Sequence, residues 1–376
     1  MKVRNPRLNE TAFLGICYPS KKLLLNEKRL FMPASTTKLY TSWLACESLG
    51  EDFSFHSEYS VEGRSLYLRT MGNPLLSEES MGELLHEIGG RTIEEIVFAS
   101  PFLQTPRYPS TWVISDLQEA WGAPLSDVCF HENYATVPGS GGTLMTPSSA
   151  YYSVRTVEGI EKPALQGRIV SLPPGFSGTF DFPILEPGDF LFHWLRERIP
   201  GAAIKKRTGR LRGSPISFAQ ASLKDVLRTM NKKSSNILAE LLLAHSARAL
   251  GTPLDYADAL PVFTDALQRI GVRDARLYDG SGVSRYNLVS PRGTVALLEA
   301  CTKYDSIVES LPIGGKDGTL AGRKLPRRIR AKTGSLTGVQ ALAGYDGDEP
   351  FSVVINHASA DERELTEEID RIVSGR

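Results

Sequence analysis

Apolar residues recur along this chain in two rhythms. Near the start, Ala12 to Cys17 is an apolar run, Pro19-Ser20 supplies a turn, and Lys22 to Asn26 returns, which predicts a hairpin. Behind Pro33, the positions Leu39, Trp43, Leu44 and Cys46 keep helical spacing until Gly50 stops them. From Phe53 the rhythm becomes alternating, as in Phe53 to Tyr59 and Ser65 to Arg69, which predicts strands. Turn residues are dense there: Gly72-Asn73-Pro74, Pro106 to Pro109, Pro138 to Gly142 and Pro173-Pro174-Gly175. One short helix fits Glu78 to Ile88.

Helical spacing returns near Ser222. With Asp225 it forms a capping signal, and Leu223, Val226, Leu227 and Met230 mark one face. A break at Asn231 to Ser235 precedes a helix from Ile237 to Leu250, ended by Gly251. Further helices fit Pro261 to Ile270 and Arg292 to Cys301. After the glycine-rich Gly314 to Gly322 come strands at Ile329 to Thr333, Gln340 to Tyr345 and Phe351 to Asn356. Asp361 to Val373, with Leu365, Ile369 and Ile372 on one face, closes the chain as a helix. The texture predicts an α+β chain in which residues 1–52 and 213–376 build one discontinuous domain. Residues 53–212 form a β-rich insertion.

At 376 residues the chain is too long for one ordinary core, which agrees with two domains. Lys plus Arg equals Asp plus Glu, 43 each, so net charge gives no general pull towards nucleic acid. Local basic runs at Lys205-Lys206-Arg207 with Arg210 and Arg212, and at Arg327, Arg328 and Arg330, read as solvated faces. The longest apolar runs are too short to cross a membrane; Ile237 to Ala244 is broken by Glu240. Lys2 and Arg4 lead into Asn5, Pro6 and Arg7, which is not an export signal. Cys17, Cys46, Cys129 and Cys301 are far apart and read as buried small hydrophobes. Trp112, Trp121 and Trp194 read as core.

The candidate chemistry begins at Met32-Pro-Ala-Ser-Thr-Thr-Lys38. Ser35 and Lys38 are three apart and share one helix face. Ser35 also sits at the positive end of the helix dipole. A serine hydroxyl is a poor nucleophile unless a neighbour takes its proton. A lysine kept neutral by burial and nearby positive charge can do so. Alone, a Ser-x-x-Lys is a chance event in a chain of this length. Two further groups change its weight: Lys233-Ser234-Ser235-Asn236 gives Ser-x-Asn at the start of a helix, and Lys332-Thr333-Gly334-Ser335 gives Lys-Thr-Gly on a strand. The order is that of penicillin-recognising serine enzymes. Gly334 permits close approach at the strand edge. Lys332 supplies positive potential for a carboxylate, to which the Thr333 and Ser335 hydroxyls can donate. Ser234 can relay a proton to a leaving amine, and Asn236 can hold a substrate amide. Arg207-Thr208-Gly209 is a decoy, with no strand-to-strand pattern after it. Asp279-Gly280-Ser281-Gly282 reads as a tight turn. His86-Glu87 lacks the second histidine of a zinc motif, and no other metal-ligand cluster is seen.

The chain resembles the class C low-molecular-mass penicillin-binding proteins, the D-alanyl-D-alanine carboxypeptidase/endopeptidases often called DacB. "PASTTKL", "WGAPLSDVCFHEN", "KKSSNILAE", "DGSGVSRYNLVSP", "LPIGGKDGTL" and "RAKTGSLTGVQALAGY" all resemble family stretches in family order. The resemblance implies a serine β-lactamase/transpeptidase-like domain, an antiparallel sheet flanked by helices, interrupted by a β-rich insertion. The gap from Ser35 to Ser234 is short for the family, which implies a reduced subdomain in the insertion. It implies a serine D-Ala-D-Ala peptidase acting on peptidoglycan stem peptides, acylated on Ser35 by substrate or by β-lactam antibiotics. Lys38 would be the general base, and the backbone N–H groups of Ser35 and Ser335 the oxyanion hole. No cofactor and no metal are implied. The implied location is the periplasm or cell envelope, with peripheral membrane contact left open and no nucleic-acid partner.

Three departures stand out. Ser235 replaces the more usual Asp or Asn of Ser-x-Asn. His131, with Glu132 beside it, stands where many members have an acidic residue for the amine of a diamino acid. Family members are exported, yet no export signal is visible, so the chain is either cytoplasmic or written without its signal. Arg285 resembles the family position that meets the far carboxylate of meso-diaminopimelate. Two other readings are a β-lactamase or esterase on the same fold and a non-turnover β-lactam- or muropeptide-binding protein. The first lacks a Glu-x-x-Leu-Asn segment for fast deacylation, and intact motifs argue against the second.

Overall fold

The computed structural model describes residues 13–99, 103, 106–139, 145–200, 204–252 and 260–375. Lys2 to Arg7, Ala12 and Ser140 to Gly142 lie outside the described residues. The chain divides into two compact units. One contains the chain up to Phe53, the stretch Tyr108–Trp112, and everything from Ser222 onward. The other contains Ser54–Arg107 and Val113–Ala221.

In the first unit, β1 (Phe13–Tyr18) turns through Pro19–Lys21 into β2 (Leu23–Leu25). The helices are α1 (Thr37–Leu49), α2 (Leu223–Lys233), α3 (Asn236–Ala249), α4 (Leu260–Arg269), α5 (Pro291–Cys301) and α6 (Asp305–Ser310). Strands β3 (Ile329–Leu336), β4 (Val339–Asp346) and β5 (Glu349–Asn356) follow, and α7 (Glu362–Ser374) ends the unit. The sheet order is β3-β4-β5-β1-β2, antiparallel throughout. Both ends of the chain thus share one sheet. In β5, Phe351, Val353 and Ile355 pack with Leu365, Ile369, Ile372 and Val373 of α7. Val354 points to the other face with Phe31 and Ala341, and α5 packs along β1 and β5. Alternation along a strand therefore covers both faces with helices. Burying each large apolar side chain of α7 contributes roughly 1.5–3 kcal/mol.

Sequence rhythm places these elements closely, with one correction. The break expected at Asn231 to Ser235 is narrower: α2 continues to Lys233, and only Ser234 adopts a left-handed conformation, φ 62°. Asn231 is helical, and its side-chain amide donates inward to Ser42 and Ser310 Oγ.

The second unit has its own core, including Phe130, Phe182, Phe190 and Trp194. Its main sheet orders Lys205–Gly209, Glu95–Ala99, Ser65–Arg69, Ser54–Glu62 and Ile216–Ser222. A three-stranded and a two-stranded sheet complete it, with helices Glu78–Ile88 and Pro187–Arg198. Three expectations change here. No strand was expected after Arg207-Thr208-Gly209, yet it lies in a strand parallel to Glu95–Ala99, and the strand Ile216–Ser222 follows. Trp121 is 44% exposed and is no core residue, whereas Trp112 and Trp194 are buried. The strand Ile216–Ser222 also carries this unit past residue 212.

Candidate active site

Ser35 sits in a 3-10 turn, Ala34–Thr36, immediately before α1. Ala34 has φ 49°, an uncommon conformation for a residue with a Cβ. Such a conformation costs on the order of 1–3 kcal/mol and needs surroundings that impose it. Two hydroxyl bonds and two glycines do so. Thr36 and Thr37 donate to the Pro33 and Ala34 carbonyls, each at 2.8 Å. A Cβ on Gly334 would lie 2.6 Å from the Pro33 carbonyl oxygen and 3.1 Å from the Ser35 nitrogen. A Cβ on Gly282 would overlap the Ala34 carbonyl. Gly334 was expected to admit a substrate backbone; in the structure the turn that bears Ser35 lies against it.

Lys38, one turn on, is fully buried. Its ammonium donates to Ser35 Oγ at 3.0 Å, to Asn236 Oδ1 at 2.7 Å and to the Ser281 carbonyl at 2.7 Å. Three donors meet three acceptors, so the nitrogen is fixed. Burial pulls its pKa down to about 7, opposed in part by the negative charges of Asp279 and Glu240. These two acids are buried behind the turn that offers the Ser281 carbonyl. Glu240 accepts from the Gly280 and Ser281 backbone N–H groups. Asp279 accepts from Gly282 and Ser284 N–H, from Asn287, and from the Trp112 indole at 2.9 Å.

The third element is β3. Lys332 is fully buried, and its ammonium donates to Ser234 Oγ and to the Thr333 carbonyl, both at 2.9 Å. Burial, and next the charge of Lys38, holds its pKa well below the ordinary lysine range. The left-handed turn at Ser234 presents its hydroxyl to Lys332, and Ser235 caps α3 by accepting from Leu238 N–H. Serine caps a helix about as well as Asp or Asn, so Ser235 keeps the N-cap of α3. Thr333 Oγ1 donates to Thr319 Oγ1 at 2.9 Å, and Ser335 Oγ donates to Glu362 Oε1 at 2.8 Å. Thr319 lies in a 3-10 turn, Gly318–Leu320, beside which Lys232 donates to the Leu311 carbonyl and to Asp317.

Thus Ser35, Lys38, Ser234, Asn236, Lys332, Thr333, Gly334 and Ser335 come together. Asn236 Oδ1 accepts from Lys38, a contact that the sequence reading did not include. Arg285 is exposed just beyond the Asp279 turn. His131 and Glu132 belong to the second unit, where His131 Nε2 accepts from the Glu78 backbone N–H at 3.2 Å. Sequence reading missed Glu240, Asp279, Trp112, Thr319 and Glu362 as neighbours of these groups. The signal for Glu240 was present: a lone acid inside an otherwise apolar helix must be partnered. Among the described residues no group of three His, Cys, Asp or Glu is placed to hold a metal ion.

The sequence model of the D-Ala-D-Ala carboxypeptidase 3 (S13) family matches residues 20–160 and 213–375. The chain belongs to this family. It is a serine-type peptidase. A D-alanyl-D-alanine carboxypeptidase of Actinomadura sp. (strain R39) is 27% identical over 86% of this chain and 73% of that protein. The D-alanyl-D-alanine carboxypeptidase DacB of Haemophilus influenzae is 26% identical over 85% of this chain and 78% of its own length. The crystal structure of penicillin binding protein 4 from Haemophilus influenzae matches all of this chain and 99% of its own, with TM-score 0.79 at 22% identity. At that identity the likeness speaks for the fold. No helix among the described residues is long and apolar enough to cross a membrane.

Proposed function

We propose that this chain is a serine D-Ala-D-Ala carboxypeptidase, with endopeptidase capacity, acting on peptidoglycan stem peptides through an acyl-enzyme on Ser35. The observation that carries this reading is the 3.0 Å approach of a fully buried Lys38 to Ser35 Oγ. With its pKa near 7, Lys38 is substantially neutral at physiological pH and can accept the Ser35 proton. Ser35 Oγ then attacks the carbonyl between two D-alanines. The oxyanion forms against the backbone N–H groups of Ser35 and Ser335. The C–N bond breaks as Ser234 relays a proton to the leaving amine, and water later hydrolyses the ester. Lys332, Thr333 and Ser335 meet the terminal carboxylate, and Gly334 keeps the strand edge close. Asn236, while orienting Lys38, faces the substrate amide. Arg285 serves the far carboxylate of a diamino acid in the stem peptide.

β-Lactams mimic the dipeptide and stop at the acyl stage. The cell envelope or periplasm is where such a substrate lies, with contact at the membrane peripheral. Incubation with benzylpenicillin followed by peptide mapping tests the reading. One adduct on Ser35 is expected, absent from Ser35→Ala, together with D-alanine release from an acyl-D-Ala-D-Ala peptide. An adduct on Ser234, Ser281 or Ser335 would overturn the assignment of the nucleophile. Acylation without D-alanine release would make the chain a binding protein.

A further inference from the structure

The turn that offers the Ser281 carbonyl to Lys38 is clamped peptide by peptide. In the Gly280–Ser281 peptide the carbonyl accepts from Thr41 Oγ1 at 2.6 Å, and the N–H donates to Glu240 Oε1 at 2.8 Å. In the next peptide the Ser281 carbonyl meets Lys38 at 2.7 Å, and the Gly282 N–H donates to Asp279 Oδ1 at 2.8 Å. A Cβ on Gly280 would lie 2.8 Å from the Ala239 carbonyl oxygen, so the turn is seated directly on α3. Both acids are fully buried, and each faces N–H donors, the partners that an ionised carboxyl group requires.

Neither acid touches the Lys38 ammonium, whose three bonds go to Ser35, Asn236 and Ser281. Their charge reaches it through one peptide layer. A carboxylate in direct contact would hold the proton on the lysine; one layer back it only offsets the cost of burial. The charged groups that face Lys38 are thus Glu240 from α3, Asp279 from the turn and, with like charge, Lys332 from β3. We propose that Glu240 is a positioning residue of the acylation step, which seats the Ser281 carbonyl on Lys38 and, with Asp279, makes Lys38 a stronger base than burial alone would leave it. This deepens the peptidase reading above and rests on it.

The test is the pH dependence of second-order acylation by benzylpenicillin, which reports groups of the free enzyme. It compares wild type with Glu240→Gln, Asp279→Asn and Thr41→Val. Glutamine keeps an oxygen for the Ser281 N–H and removes the charge. Its acid limb should lie about one pH unit below that of the wild type. A weaker base is also slower at its plateau, so the two profiles should cross. Glu240→Gln should be about twofold faster at pH 5.5 and a few-fold slower at pH 8. Asp279→Asn should move the limb the same way. Thr41→Val removes the hydroxyl from the Gly280 carbonyl without changing charge, and should lower the plateau while leaving the limb in place. An unmoved limb in whichever acid variant folds, or a limb that Thr41→Val moves as far, would overturn the inference alone. So would failure of both acid variants to fold, which would make the acids structural. A wild-type chain that takes no benzylpenicillin would overturn the peptidase reading and this inference with it.

Discussion

Two strands of this molecule carry a cation, a threonine and a glycine in succession. In β3, Lys332 is fully buried, Thr333 is half-buried, and Gly334 lies against the turn that bears Ser35. In the strand Lys205–Gly209, Arg207 is exposed and paired with Glu95 at 3.3 Å, and Thr208 is exposed as well. The letters are alike and the environments are opposite. An exposed cation interacts weakly with anything, because water and salt screen it. A buried lysine without a carboxylate partner bears a desolvation cost that a bound anion offsets. Burial, which a short motif does not encode, separates a recognition strand from a solvated edge.

The largest effect that can break this contrast is at Lys38, the second buried lysine. Arginine stays charged at every accessible pH and cannot act as a base. Lys38→Arg should lower acylation by benzylpenicillin about 10²–10⁴-fold, the usual contribution of general-base catalysis. In the wild type the acylation rate should fall as pH drops below about 7, following protonation of Lys38. Near wild-type acylation by the arginine variant, or a flat profile from pH 6 to 8, would remove Lys38 from the role of base.

The next effect compares the two strands directly. Lys332→Gln removes a charge-assisted contact to the substrate carboxylate and should lower kcat/KM for acyl-D-Ala-D-Ala about thirty- to a hundredfold. Arg207→Gln should stay within about twofold. Steady-state D-alanine release measures both, and comparable losses would mean that burial is not what distinguishes the strands.

Why β3 was readable as a site, and its surroundings were not, follows from where the information sits. Strand and helix rhythms located α1, α3, β3 and β4 within a few residues, because each buries one continuous face. The grouping of Ser35, Lys38, Ser234, Asn236 and Lys332 was legible because the chemistry proposed for them needs fixed residue types at short spacing. Glu240, Asp279 and Trp112 were not, since they act through a backbone turn, and only the fold brings Trp112 beside Asp279. Ser335–Glu362 is the same case across a tertiary contact. Trp121 failed for the opposite reason: an aromatic residue has an apolar body that is usually buried, and its sequence context does not say when it is not.

Arg285 gives a smaller effect, about tenfold. It is exposed beyond the turn that fixes Lys38. A guanidinium can pair bidentately with the far carboxylate of a diaminopimelate-containing peptide. Arg285→Ala should lower kcat/KM about tenfold for that peptide and much less for a simple acyl-D-Ala-D-Ala. Equal losses on the two substrates would assign Arg285 to support of the turn instead.

The smallest effect concerns stability, and its sign follows from the same burial. Lys38 and Lys332 are held below the ordinary lysine pKa in the folded chain, Lys38 at about 7. Unfolded, both return to about 10.4. Above pH 7 the unfolded chain therefore binds more protons than the folded one, and unfolding free energy rises with pH. Below the folded pKa the penalty is complete and the slope vanishes. From pH 6.5 to 8 the Lys38 contribution is on the order of 1 kcal/mol. Burial pushes the thiols of Cys46, Cys129 and Cys301 up, so above about pH 8.5, where unfolded thiols ionise, they act in the opposite direction. The Tm should thus rise from pH 6.5 to 8 and then flatten. Lys38→Met should show a shallower rise than wild type, whereas Arg207→Gln should reproduce the wild-type slope. A wild-type Tm that falls between pH 6.5 and 8, or an unchanged slope in Lys38→Met, would mean that Lys38 keeps its ordinary proton affinity despite being buried.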